Sequence, residues 1–154
     1  DLLDPFSARS RARSAAVLGE MVAGSAVPTV VTGDLNAGPD STAVCTLLAS
    51  GLVDTWSVAD RRRTREWGTH GGYRRPRAGG RRIDWILASP DLTVADAAVN
   101  PTRHGGRWPS DHLPVQAVVV PERQEGRGIG WDHRPPHPGL GARGSGDVGE
   151  AGAR

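Results

Sequence analysis

The sequence has 154 residues, room for one domain. No apolar run comes near the roughly 18 residues that span a bilayer; the longest, 28–31 and 116–120, have the length of strands, so no transmembrane segment is expected. The formal net charge is only +2, yet every basic side chain is Arg, and Cys45, the single cysteine, excludes an intrachain disulfide.

The chain begins at Asp1 with no Met, no basic segment and no apolar core of a signal peptide. Further residues are therefore expected upstream of Asp1 in the translated protein. Asp4 and Pro5 are suited to the N-cap and first position of a helix. That helix is predicted to run to Ala23, with Val17, Leu18, Met21 and Val22 on its apolar side and Gly24 as its stop. Residues 28–32 are β-branched and read as a buried strand. The segment from Gly33 to Pro39 reads as a loop. Asp40 or Ser41 then caps a second helix that reaches Ala49 and closes at Gly51. Cys45 falls on this helix, where it reads as a small apolar residue rather than a reactive thiol.

Residues 52–56 lead into an Arg-rich stretch that reads as a loop, with Gly71-Gly72 and Gly79-Gly80 inside it. Arg61, Arg62, Arg63, Arg65, Arg74, Arg75, Arg77, Arg81 and Arg82 crowd it, offset only by Glu66. Arg forks match phosphate oxygens, so this stretch is either a grip for a phosphorylated substrate or a solvated loop. Strands are predicted over 82–88, 92–99 and 113–120, with a loop over 101–109. From Pro121 onward Gly, Pro and Arg dominate, and 121–154 is expected to be a disordered tail.

Three segments carry chemistry. In Thr32-Gly33-Asp34-Leu35-Asn36, a carboxylate and an amide straddle one residue just past a strand. In an extended chain both would face one spot. A carboxylate can orient and deprotonate water, and an amide N–H can donate to a phosphate oxygen. Taken alone the pair is ordinary turn chemistry. In Arg82-Ile83-Asp84-Trp85-Ile86-Leu87, an Asp sits in an apolar strand, where Asp is depleted. It either faces water at an edge or orients a histidine. In Ser110-Asp111-His112-Leu113-Pro114-Val115, Asp111 is a hard oxygen donor suited to Mg²⁺. His112 can stabilise phosphoryl charge or act as a general base. Alone, this segment also reads as a polar cap before a strand.

Together, and in this order, the three segments resemble the last three motifs of the endonuclease/exonuclease/phosphatase superfamily. That group includes deoxyribonuclease I, apurinic endonucleases, neutral sphingomyelinases and inositol polyphosphate phosphatases. Ser110-Asp111-His112-Leu113-Pro114-Val115 is the most specific element, and the resemblance covers about 3–120. It implies a deoxyribonuclease I-like four-layered α/β sandwich, of which residues 1–120 would be the C-terminal half. It also implies that Asp34 activates the attacking water, that Asn36 and His112 bind the scissile phosphate, and that Asp84 orients His112. Asp111, with Asp34, would belong to a site for Mg²⁺ or Mn²⁺. The reaction implied is hydrolysis of a phosphodiester or phosphomonoester by in-line attack of water.

The family's first half supplies an early Asn, a metal-binding Glu and a further His. None has a counterpart here, and His70, His104, His133 and His137 fall at the wrong places in the order. The chain alone is therefore expected to bind Mg²⁺ poorly and to turn over weakly or not at all. The substrate is a phosphoester. The arginines favour nucleic acid, and a phospholipid or phosphoinositide headgroup is the alternative, since Trp67 and Tyr73 are the only stacking candidates beside them. The competing class is a degenerate remnant or binding module that keeps the fold without the chemistry. The composition suits a soluble domain, cytoplasmic or secreted, of unspecified oligomeric state.

Overall fold

The computed structural model describes residues 5–122. Asp4, the expected N-cap, and 123–154 of the expected tail lie outside the described residues. Pro121 ends the last strand, one residue beyond the expected limit.

Helix α1 (Pro5–Ala23) packs one face on the core. Ala15 is buried there, with Leu18 and Val22 half-buried against the same cluster. These positions follow the three-, four- and seven-residue spacing of a helical stripe. The predicted apolar face is therefore corrected. Val17 and Met21 lie about 100° round from their neighbours and are 59% and 69% exposed. Helix α2 (Thr42–Ala49) is capped by Ser41, whose hydroxyl accepts from the Val44 amide at 3.3 Å. It closes at Gly51, whose φ of 99° is a left-handed value that favours glycine. The two helices approach closely at Gly19, where a Cβ would come 3.2 Å from the Ser50 Cβ. Cys45 is exposed on α2, not packed.

The first sheet has the order β1-β4-β2, all antiparallel. Strand β1 spans Val30–Asp34, β2 Val53–Asp54 and β4 Asp84–Ala88. β4 is central and buries Trp85, Leu87 and Ala88. β1 is not the buried strand its composition suggests. It is an edge strand with only Val31 half-buried, because β4 is its only neighbour. It also begins and ends two residues later than predicted, so Gly33 and Asp34 belong to the strand. Between β2 and β4 come the short helix α3 (Thr55–Val58) and strand β3 (Arg61–Arg62).

The second sheet has the order β3-β5-β6. β3 runs parallel to β5 (Leu92–Val99), which pairs antiparallel with β6 (Val115–Pro121). Arg61 and Arg62 therefore leave the expected loop and form a strand. The two sheets touch through β4 and β6, so the described residues stack helices, sheet and sheet. None of the described helices is long and apolar enough to cross a membrane.

The main core joins α1, α2 and β4 through Ala15, Val44, Leu47, Leu52, Trp85 and Leu87. Leu47 is 1% exposed. Truncation to Ala removes its methyl groups and leaves a cavity, so Leu47→Ala is expected to cost about 2–5 kcal/mol. A urea titration read by circular dichroism checks this; an unmoved midpoint would contradict the packing.

Candidate active site

Strand register brings the first two carboxylates together. Asp34 ends β1 and Asp84 starts β4, and the two are direct cross-strand partners. Both thus lie at one end of the first sheet. The start of β4 is held by Thr69, which is fully buried. Its hydroxyl accepts the backbone N–H groups of Ile83 and Asp84 at 3.0 and 3.1 Å.

Asn36 reaches Asp34 by a different route from the expected extended segment. Its φ is 47°, a left-handed value that Asn tolerates. The chain turns, and the Asp34 carboxylate accepts the Asn36 backbone N–H at 2.8 Å and its side-chain amide at 3.1 Å. The turn, not strand alternation, sets their relation.

His112 comes from the loop before β6. Ser110 Oγ accepts its backbone N–H at 3.0 Å, and the next amide, Leu113, donates to the Thr69 carbonyl at 2.7 Å. His112 Nδ1 lies 2.9 and 3.1 Å from the two Asp84 oxygens. With Nδ1–H donating to the carboxylate, Nε2 remains available to the cleft. Asp34, Asp84 and His112 each place a polar atom within 4.8 Å of the others. They line an open cleft with Ser110 and the 113–115 segment.

His70 belongs to the same place, although nothing in its sequence surroundings marks it. It forms an antiparallel bridge with His112. The two rings are 4.8 Å apart at 53°, and His70 Nε2 is 3.7 Å from Asp111 Oδ2. Backbone pairing of Thr69 with Leu113 and of Gly71 with Asp111 makes them neighbours.

The His112 pKa is raised above its ordinary value, first by the hydrogen bond that its Nδ1–H donates to Asp84. Burial opposes the shift, and the charges of Asp84, Asp34 and Asp111 add to it. A raised pKa means that this pairing favours the fold fully below the unfolded value. The contribution fades as pH rises through the folded value. Asp84→Asn removes the leading cause, so the His112 titration is expected to move to lower pH. NMR of the imidazole C–H resonances in metal-free protein measures it; an unchanged midpoint would refute the pairing.

The carboxylates differ in their freedom to hold a cation. Both Asp84 oxygens face His112, and both Asp34 oxygens accept from Asn36. Asp111 is half-exposed, with only a long 3.4 Å contact from Ser110 Oγ and His70 nearby. Asp111 is the open carboxylate, and it clusters with His70 and His112, whereas Asp34 clusters with Asp84 and His112.

Two sheets, flanking helices and this carboxylate–imidazole cluster define a mixed α/β, two-sheet fold with a polar cleft at one sheet end. Residues 3–112 match the model of the Endonuclease/Exonuclease/phosphatase family, and the chain belongs to that family. Among solved structures it resembles a mannosyl-6-phosphatase of Bacteroides thetaiotaomicron at 27% identity and a TM-score of 0.63, over 73% of this chain and 46% of that one. A conserved protein of unknown function from Enterococcus faecalis matches at 26% identity and a TM-score of 0.66, over 79% and 48%. An endonuclease/exonuclease/phosphatase from Bacteroides vulgatus matches at 27% and 0.65, over 74% and 45%. The chain thus spans about half the length of these structures. No curated protein matches it.

Proposed function

We propose that this chain carries part of the catalytic residues of a metal-dependent phosphoesterase. The observation that supports the reading most is the His112–Asp84 pair beside Asp34 in one cleft, with Asn36 bonded to the Asp34 carboxylate. Asp34 orients a water and takes its proton as the oxygen attacks phosphorus in line with the leaving oxygen. The P–O ester bond breaks, and its electron pair leaves with the alcohol oxygen. Asn36 donates to a non-bridging phosphate oxygen. His112, held by Asp84, meets the charge that develops on the phosphoryl group. Asp111, with Asp34, would hold Mg²⁺ or Mn²⁺; when bound, the ion supplies Lewis-acid charge at the phosphate.

A sugar phosphate monoester is the first substrate class to try, because one similar structure is a mannosyl-6-phosphatase. The test is phosphate release from mannose 6-phosphate by the full gene product, beside bis(p-nitrophenyl) phosphate as a diester, with and without EDTA. EDTA-sensitive turnover of either ester is expected. Turnover of neither, or turnover indifferent to EDTA, would overturn the reading.

A further inference from the structure

Eight of the nine arginines between 61 and 82 fall into two groups; Arg65 is exposed and belongs to neither. One group is committed to the fold. Arg61 and Arg63 both hold Asp96, at 3.1 and 2.6 Å. Arg62 donates to the carbonyls of Trp56 and Ser57, each at 2.9 Å. Arg82 is buried on Asp54. The other group is Arg74, Arg75, Arg77 and Arg81. All four are exposed, and all line one cavity of about 730 Å³. Among the described residues, none of these four side chains has a hydrogen-bond, ion-pair or ring partner.

This cavity adjoins the catalytic cleft. His70 and Asp111 stand at its side, and Ser110 lines both spaces. The Arg-bearing loop is fastened rather than loose. At its neck Gly79 N donates to the Glu66 carbonyl at 2.8 Å, and Gly68 N to the Arg77 carbonyl at 3.0 Å. The crossing there is so close that a Cβ on Gly68 would sit 2.9 Å from the Gly80 Cα. At its tip the amides of Gly71 and Gly72 donate to the Asp111 carbonyl, at 2.9 and 3.2 Å. The backbone that carries the four guanidinium groups is therefore fastened beside Asp111 and His112.

Clustered, unpaired guanidinium groups on a fastened loop are suited to an anion. Resting on the phosphoesterase reading above, we propose that the cavity is a second anion subsite. It takes a phosphate of the substrate other than the one being hydrolysed, so the preferred substrate is a small ester with at least two phosphates. A compact substrate is favoured over a polymer because the four side chains surround one cavity. A strand of nucleic acid is followed by a charged groove that tracks its backbone.

Two measurements on the full gene product test this. The first compares hydrolysis of glucose 1,6-bisphosphate and glucose 6-phosphate by the wild type and by Arg74→Gln/Arg75→Gln and Arg77→Gln/Arg81→Gln variants. The wild type is expected to prefer the bisphosphate, and each double variant to lose that preference roughly tenfold or more, through KM rather than kcat. The second is calorimetric titration with inorganic pyrophosphate, which needs no turnover. Binding is expected to weaken in the Arg variants and to survive His112→Ala. If mannose 6-phosphate, bis(p-nitrophenyl) phosphate and both glucose esters all go unhydrolysed while pyrophosphate binding still depends on the arginines, the phosphoesterase reading fails and the subsite stands. Pyrophosphate binding indifferent to both Arg variants overturns the proposal. So does a single-stranded oligonucleotide that binds more tightly than the bisphosphate, which would make the loop a nucleic-acid contact.

Discussion

Replacing His112 by Ala is expected to lower phosphoester turnover by the full gene product about 100- to 10,000-fold. The range follows from the role proposed. His112 is hydrogen-bonded to a carboxylate through Nδ1 at 2.9 Å, and its free nitrogen faces the cleft where phosphoryl charge would develop. A group fixed before the reaction costs no reorganisation when charge appears. Most of the loss should fall on kcat, since an interaction made chiefly in the transition state leaves ground-state binding nearly intact. Asp84→Ala should act through the same group. The double variant is then expected to fall no further than His112→Ala alone, because residues that work as a unit are not additive. Circular dichroism of each variant separates lost chemistry from lost fold. Retention of more than about a tenth of wild-type turnover by folded His112→Ala would remove His112 from the mechanism. A double variant that multiplies the two losses would show that Asp84 acts independently.

The residues of the cleft were legible in sequence to different degrees. Asp84 stood out because a carboxylate in an apolar strand needs a reason, and the strand register places it opposite Asp34. Asn36 is legible as a residue but not in its geometry. Strand alternation suggested that it shares a face with Asp34, whereas a left-handed φ of 47° folds it back onto that carboxylate. His70 carried no signal at all. Its nearness to His112 comes from a backbone bridge across residues 70 and 112, and long-range pairing of two loops leaves no local pattern. The fold shows the same division. The 92–99 strand was marked by its apolar spacing and is observed as β5 over Leu92–Val99. β1 was read as buried from its Val and Thr content. Composition records β-propensity but not which strand lies at a sheet edge.

The arginines show most sharply what a one-dimensional reading cannot separate. Arg81 and Arg82 are adjacent and chemically identical, yet one is exposed beside the cavity and the other is 7% exposed. Arg82 makes a two-pronged pair with Asp54, at 2.9 and 2.6 Å, and lies 4.1 Å over the Trp85 ring. Asp54 also accepts the Trp56 amide at 3.1 Å and the Ser57 hydroxyl at 2.6 Å. The pair therefore ties β2, the start of α3 and the approach to β4 into one buried knot. Asp54→Ala is expected to destabilise the protein by about 3–5 kcal/mol, because it leaves a buried guanidinium without its counter-charge. Much of that cost should be desolvation rather than lost attraction. Replacing both partners, as Asp54→Leu with Arg82→Met, should then recover a large part of it. Chemical denaturation of the two single variants and the double variant measures the cycle. Equal midpoints for wild type and Asp54→Ala would mean that the pair contributes nothing. A double variant as unstable as the sum of the singles would show that the lost hydrogen bonds to Trp56 and Ser57, not the stranded charge, dominate. With Arg82 held in this way, its charge is committed to the fold, and the anion subsite proposed above draws on Arg74, Arg75, Arg77 and Arg81.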